Sequence, residues 1–221
     1  MSGKRTAWTG PIGGRVYKVG SPMVSFYVLF DGETAAAIDA GMSPEQARRG
    51  LERLGIEPER VGHVFLTHSD RDHTGGLPAF PRAEVHLNTR EAAVLDGTIP
   101  RRLLFWKHRN RLEAAYTLFE DEAVFTVGSM RLQAIWTPGH TPGSTSFLAD
   151  ESALFTGDLL VLKKGRAAPC SPLISNDASE CERSIRKLAV RVPAAALLCT
   201  AHSGFSTDYG CAMARYLHGK G

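Results

Sequence analysis

Thr67-His68-Ser69-Asp70-Arg71-Asp72-His73-Thr74-Gly75-Gly76 packs four side chains of metal-binding type, His68, Asp70, Asp72 and His73, into six residues. Just ahead runs Val61-Gly62-His63-Val64-Phe65-Leu66, whose apolar and β-branched residues predict a buried strand. The acids and imidazoles therefore arrive where a strand gives way to a loop, and Gly75-Gly76 is expected to lend that loop backbone freedom. Side chains on a strand alternate between faces, so a regular strand cannot aim all four inward. A tight loop can, and a bound cation offsets the cost of gathering carboxylates. A polar surface loop is the plainer alternative, but this density of His and Asp after a strand favours a metal site.

Outward from this stretch, residues 23–30 read as a strand, Asp31-Gly32 as a hairpin turn, and residues 35–38 as a second strand ending in Asp39-Ala40-Gly41. Ser43-Pro44-Glu45-Gln46 predicts a helix start: serine caps, proline suits the first turn, and Gln46 completes a capping box. Ala47, Leu51 and Leu54 mark the buried face of that helix, and Gly55 marks its end. Residues 83–87 form the next expected strand. Residues 101–112 mix bulky apolar and basic side chains at helical spacing, which predicts an amphipathic helix with a solvated basic face. Strands are expected at 123–127, 130–136, 144–148 and 153–155. Residues 163–176 read as a Lys-, Arg-, Pro- and Ser-rich loop, 177–192 as a helix capped by Asp177, 194–200 as a small-residue strand and 209–218 as a closing helix.

Three further loops carry reactive side chains. Thr137-Pro138-Gly139-His140-Thr141-Pro142-Gly143-Ser144 brackets a histidine with prolines and glycines, poorly placed for packing and well placed for ligation. Phe155-Thr156-Gly157-Asp158 ends a strand in an acid, and Ala201-His202-Ser203 follows the small-residue strand.

These loops, in this order, resemble the metallo-β-lactamase superfamily. Its signature HxHxDH is written here His68-x-Asp70-x-Asp72-His73, with an aspartate where the family has its second histidine. Its TPGHTPGS loop matches residues 137–144 almost letter for letter. The resemblance covers nearly the whole chain and implies an α/β fold: one domain over residues 1–221, built as a four-layer αββα sandwich. It implies two divalent metal ions, zinc first, one held by His68, Asp70 and His140 and the other by Asp72, His73 and His202, with Asp158 shared. Asp39 is expected to support the metal loop without ligating. Asp72 and Asp158 are the expected catalytic residues, in a hydrolase whose metal-bound hydroxide attacks an ester, thioester, lactone or related small-molecule bond.

Asp70 adds a carboxylate, which lowers the charge of such a centre by one unit and favours manganese or iron. Superfamily members resembling the flavodiiron proteins carry an acid at that position. A non-haem iron oxidoreductase of the same fold is thus one alternative, and a metal-depleted binding protein is another. Lys163, Lys164 and Arg166, just past Asp158, are candidates to grip an anionic substrate, against the plainer expectation of a solvated loop.

The composition agrees. A chain of 221 residues buries one core, and 43% hydrophobic with 22% charged residues is ordinary for a soluble globular protein. A net charge of +3 permits an anionic small-molecule substrate without calling for nucleic acid. No run is long enough to span a bilayer, and residues 1–6 lack the apolar core of a secretory signal. Cys170, Cys181, Cys199 and Cys211 form no CxxC pair. A cytoplasmic chain with reduced cysteines and no membrane partner is the resulting expectation.

Overall fold

Runs of apolar and β-branched residues in each half of the chain form two sheets, each covered on its outer face by helix. The computed structural model describes residues 7–103 and 106–218, and the side chains of these except 103 and 106–108. The first half supplies β1 (Gly10–Gly13), β2 (Val16–Gly20), β3 (Ser25–Phe30), β4 (Ala35–Ile38), β5 (Val61–Phe65) and β6 (Glu84–Asn88). A separate hairpin, β7 (Arg101–Leu103) with β8 (Trp106–His108), precedes β9 (Thr117–Phe119), which pairs with β6 to close the first sheet. The second sheet is built from β10 (Val124–Val127), β11 (Met130–Trp136), β12 (Thr145–Ala149) and β13 (Ala153–Phe155). After a second hairpin, β14 (Leu160–Lys163) with β15 (Arg166–Pro169), it is completed by β16 (Leu197–Thr200) and β17 (Gly204–Ser206).

Tyr27, Ile38 and Phe65 of the first sheet pack with Leu132, Phe147, Phe155 and Leu197 of the second, so the sheets lie face to face. Helix Pro44–Leu54 covers the outer face of the first sheet, setting Ala47 and Leu51 against Val28 and Val64. Helices Ala178–Arg191 and Tyr209–Leu217 cover the second, with Ile185, Leu188 and Met213 against Leu154 and Leu198. This is the αββα sandwich expected from the sequence.

The helix signals act largely as read. Ser43 Oγ accepts from Gln46 N at 3.2 Å, and Gly55 ends the helix in the left-handed region at φ 67°. The capping box is displaced by one residue, because Gln46 Oε1 accepts from Met42 N. Asp177 caps its helix through Glu180 N. Two expectations fail. Residues 101–112 are not a helix: β7 pairs antiparallel with β8, and Arg101 is drawn into the interior. Residues 104 and 105 of that expected helix lie outside the described residues, as does the 1–6 stretch. Residues 163–176 are not all loop either. β14 and β15 turn tightly through Lys164 and Gly165, both with positive φ (52° and 80°), as a two-residue hairpin requires.

β4 and β5 run parallel, and so do β13 and β16. The loops that leave each pair therefore emerge together at one rim. Among the described residues no helix is long and apolar enough to cross a membrane.

Candidate metal centre

The chain leaves β5 through Leu66 and Thr67, and Asp70 then starts a one-turn helix, Arg71–Thr74. That turn, rather than an open loop, swings His73 inward beneath Asp72. The backbone freedom expected of Gly75-Gly76 is not what these residues provide, since their φ values are −62° and −84°. Their role is close approach. A Cβ on Gly75 would lie 2.1 Å from the Met42 carbonyl oxygen, and one on Gly76 would lie 1.9 Å from that of Ala40. The metal loop is thereby seated on the loop after β4, where Ala40 N donates to the His73 carbonyl at 2.7 Å.

Five of the seven expected ligands meet there: His68, Asp72, His73 and His202, with Asp158 among them. His202 Nε2 lies 3.1 Å from Asp158 Oδ2 and 3.3 Å from Asp72 Oδ2. His73 Nε2 lies 3.4 Å from Asp158 Oδ1 and 3.7 Å from Asp72 Oδ2. Around a tetrahedral zinc with bonds of about 2.0–2.2 Å, neighbouring ligand atoms stand about 3.3–3.6 Å apart. The spacing fits an ion. So does the hydrogen bonding: His68 Nε2, His73 Nε2 and Asp158 Oδ1 are buried with no hydrogen-bond partner, and His140 Nδ1 is the fourth such atom. Such orphans are costly unless something binds them.

The histidines are aimed by their other nitrogens. Asp39 Oδ2 accepts from His73 Nδ1 at 2.7 Å, and the Met23 carbonyl accepts from His202 Nδ1 at 2.7 Å. Thr67 Oγ1 lies 3.0 Å from His68 Nδ1 and itself donates to Asp39. Each arrangement points Nε2 into the cluster, as metal-bound histidines require. Asp39 thus stands behind the loop, hydrogen-bonded to both His73 and Thr67.

The remaining expected ligands, Asp70 and His140, gather with His68: His68 Nε2 and His140 Nε2 lie 3.4 and 3.2 Å from Asp70 Oδ2. A residue with no local signal in the chain joins them. Arg101, only 1% exposed, donates from Nη2 to Asp70 Oδ2 at 2.7 Å and to His140 Nε2 at 2.7 Å. Asn110 Nδ2 donates to Asp70 Oδ1 at 2.7 Å.

Glu91, also unforeseen, ties the loops together. Its buried carboxylate accepts from Ser69 N and Oγ on one side, and from Thr141 Oγ1 and Gly143 N on the other. Thr145 N donates to the Thr67 carbonyl at 2.9 Å, and Tyr27 OH reaches across the sandwich to the Thr200 carbonyl at 2.8 Å, steadying the His202 loop. Cys170 is a further neighbour, its sulfur within 4.8 Å of ligand atoms of His140 and Asp158. Burial pushes its thiol up to about 12, and Asp158 adds to the shift.

The electrostatics call for positive charge. Burial opposes ionisation of Asp158, yet His73, His140 and His202 hold its carboxyl well below the usual range. Burial likewise opposes a charge on His202, but Asp158 and Asp72 push it up to about 10. Burial instead wins at His140, bringing it down to about 4.

A cleft of about 940 Å³ opens beside Asp70 and Asp72, walled by Leu77 on one side and by Arg109, Arg111 and Leu112 on the other. Lys163, Lys164 and Arg166 are not among its walls. They lie exposed on the β14–β15 hairpin, where Arg166 donates to the Cys211 carbonyl.

The model of the metallo-beta-lactamase superfamily matches residues 19–202, and the chain belongs to that superfamily. It is 29% identical over 191 residues to a hydroxyacylglutathione hydrolase of Methylococcus capsulatus, covering 86% of this chain and 65% of that protein. It is 30% identical over 137 residues to an atrochrysone carboxyl ACP thioesterase of Aspergillus fumigatus, covering 61% of this chain and 39% of that one. The chain thus spans less than two thirds of the length of either relative. A metallo-beta-lactamase of Cronobacter sakazakii shares its fold, with a TM-score of 0.70 at 20% identity over 96% of this chain and 93% of that one.

Proposed function

We propose that this chain is a metal-dependent hydrolase of thioesters and related acyl bonds, with zinc held by Asp72, His73, Asp158 and His202. The observation that carries this reading is the set of four ligand groups spaced 3.1–3.7 Å apart, whose two imidazoles are both aimed from behind. An ion held there supplies Lewis acidity and brings a water's pKa to about 7. The thioester class is supported by the names of the two relatives, a hydroxyacylglutathione hydrolase and an ACP thioesterase.

The chain's own residues then divide the work. Asp72, 30% exposed where the cleft meets the cluster, is placed to take up and return a proton. Leu77 and Leu112 offer an apolar wall to an acyl chain, while the exposed Arg71 and Arg111 offer charge to an anionic substrate. Asp70, on which the iron alternative rested, is engaged by Arg101 and Asn110, so it no longer favours that alternative. Four free thiols fit a reducing cytoplasm.

The test is thiol release from acyl-glutathione and acyl-pantetheine by zinc-loaded protein, by chelated protein and by Asp158→Ala. Release that depends on zinc and on Asp158 is expected. Equal rates in all three samples, or no release in any, would remove the reading.

A further inference from the structure

We propose that Arg101 takes the place of one metal ion: its guanidinium fills the His68–Asp70–His140 cluster and leaves the chain a single-ion centre at Asp72, His73, Asp158 and His202. This inference rests on the metal-hydrolase reading above and specifies the centre's composition.

Spacing alone does not separate the two clusters, because His68, Asp70 and His140 also stand at ligand-like distances. Lone pairs do. Arginine carries only donors, so its contact with His140 Nε2 uses the one in-plane lone pair of that nitrogen. A metal would need the same lone pair. Asp70 is similarly committed: Oδ1 accepts from Arg101 Nε at 2.8 Å and from Asn110, while Oδ2 accepts from Arg101 Nη2. The fork of Arg101 meets the carboxylate through two nitrogens, the strongest geometry open to such a pair.

The guanidinium is also anchored where it stands. Nη2 shares its two hydrogens among Asp70 Oδ2, His140 Nε2 and the Ile174 carbonyl, the last at 2.8 Å, and Nη1 donates to the Arg102 carbonyl at 2.6 Å and to Asn176 Oδ1 at 3.1 Å. Asn176 in turn donates to the Pro100 carbonyl, so the acceptors come from a built pocket. Every N–H of the side chain has an acceptor. A displaced guanidinium would forfeit all of these contacts inside the protein.

Two of the orphaned atoms, His73 Nε2 and Asp158 Oδ1, face each other at 3.4 Å within the remaining centre, where no guanidinium nitrogen supplies them a partner.

Metal content decides the matter without reference to activity. The 221-residue chain is loaded with excess zinc, desalted, and analysed by native mass spectrometry and elemental analysis. The expected wild-type value is one zinc per chain, kept in His140→Ala and lost in His202→Ala. Arg101→Ala, which frees Asp70 and His140, is expected to hold two. Two ions in the wild type, or loss of an ion in His140→Ala, would overturn the proposal while leaving the hydrolase reading intact. No zinc in any form would overturn both. Should Arg101→Ala not fold, the His140 and His202 variants still decide.

Discussion

Asp39 Oδ2 lies 2.7 Å from Nδ1 of His73, and this contact determines which nitrogen of the imidazole faces the cluster. Asp39 holds its position at a backbone cost, in the left-handed region at φ 62°, and its other oxygen accepts from Thr67 N at 2.7 Å. Removing an orienting carboxylate of this kind typically lowers metal affinity by about 10–100-fold. Asp39→Asn keeps the shape and loses the charge, so zinc affinity measured by chelator competition should fall within that range. Unchanged affinity would mean that His73 is oriented by packing alone.

Glu91 is a structural counterpart at the opposite side of the centre. Four donors from the His68 and His140 loops converge on one carboxylate with no exposed surface. Each donor left unsatisfied on truncation costs roughly 1–3 kcal/mol, and water entering the cavity recovers part of that. Glu91→Ala should therefore cost about 3 kcal/mol or more in urea unfolding. Destabilisation below about 1 kcal/mol, the scale of one ordinary hydrogen bond, would contradict the bridging role.

Two glycines one strand apart give an internally controlled comparison. A Cβ on Gly76 would meet the Ala40 carbonyl oxygen at 1.9 Å, whereas one on Gly62 meets nothing within 4 Å. Gly76→Ala must push the metal loop off the loop after β4, so it should lower the melting temperature steeply and weaken zinc binding. Gly62→Ala sits within β5 and should be close to neutral or slightly stabilising. Comparable melting temperatures for the two variants would refute the close-approach account.

Why the sequence told so much of the site and so little of its surroundings follows from where each residue sits. His68, Asp72, His73, His140, Asp158 and His202 stand at strand ends, and their density and bracketing glycines and prolines are local signals. Arg101 reaches Asp70 across 31 positions, and nothing near it in the chain marks it for burial. With basic and apolar neighbours at helical spacing, it was indistinguishable from a residue on a solvated helix face. Glu91 reaches Thr141 across 50 positions and ends an Asn-capped turn that would suit a surface loop equally well. The two hairpins were hidden for a simpler reason: strands of three or four residues are too short to show a period.

Asp31 joins the two halves of the chain and gives stability a pH dependence. From the turn after β3 it accepts from Glu33 N and Thr34 N, and across the molecule it accepts from Ser129 N at 2.9 Å. The backbone donors of Ser129, Thr34 and Glu33 hold its carboxyl below the usual range. With a depressed pKa in the folded state, the unfolded chain binds the proton more readily, so stability rises with pH across this window. The contribution is complete above the ordinary aspartate value of about 4 and fades as pH falls toward the lower folded value. Asp31→Asn should thus melt below the wild type at pH 7, with the gap narrowing as pH falls below about 4. A gap independent of pH would show that the carboxylate's charge plays no part.

Arg71 and Arg111 line the cleft beside Asp72, whereas Lys163 and Lys164 stand exposed on the β14–β15 hairpin. If the acidic part of a substrate lies in the cleft, charge reversal there acts on binding more than on chemistry. Exposed charge pairs contribute up to about 1 kcal/mol, and reversal replaces attraction with repulsion, so KM for a carboxylate-bearing thioester should rise about tenfold in Arg111→Glu. The effect should shrink with added salt, since screening sets in over about 10 Å at 0.1 M. kcat should stay within about twofold, because Arg111 does not touch the ligand cluster. Lys163→Glu and Lys164→Glu are the decisive comparison. A KM that responds to the hairpin lysines and not to Arg111 would move the substrate out of the cleft and onto the hairpin.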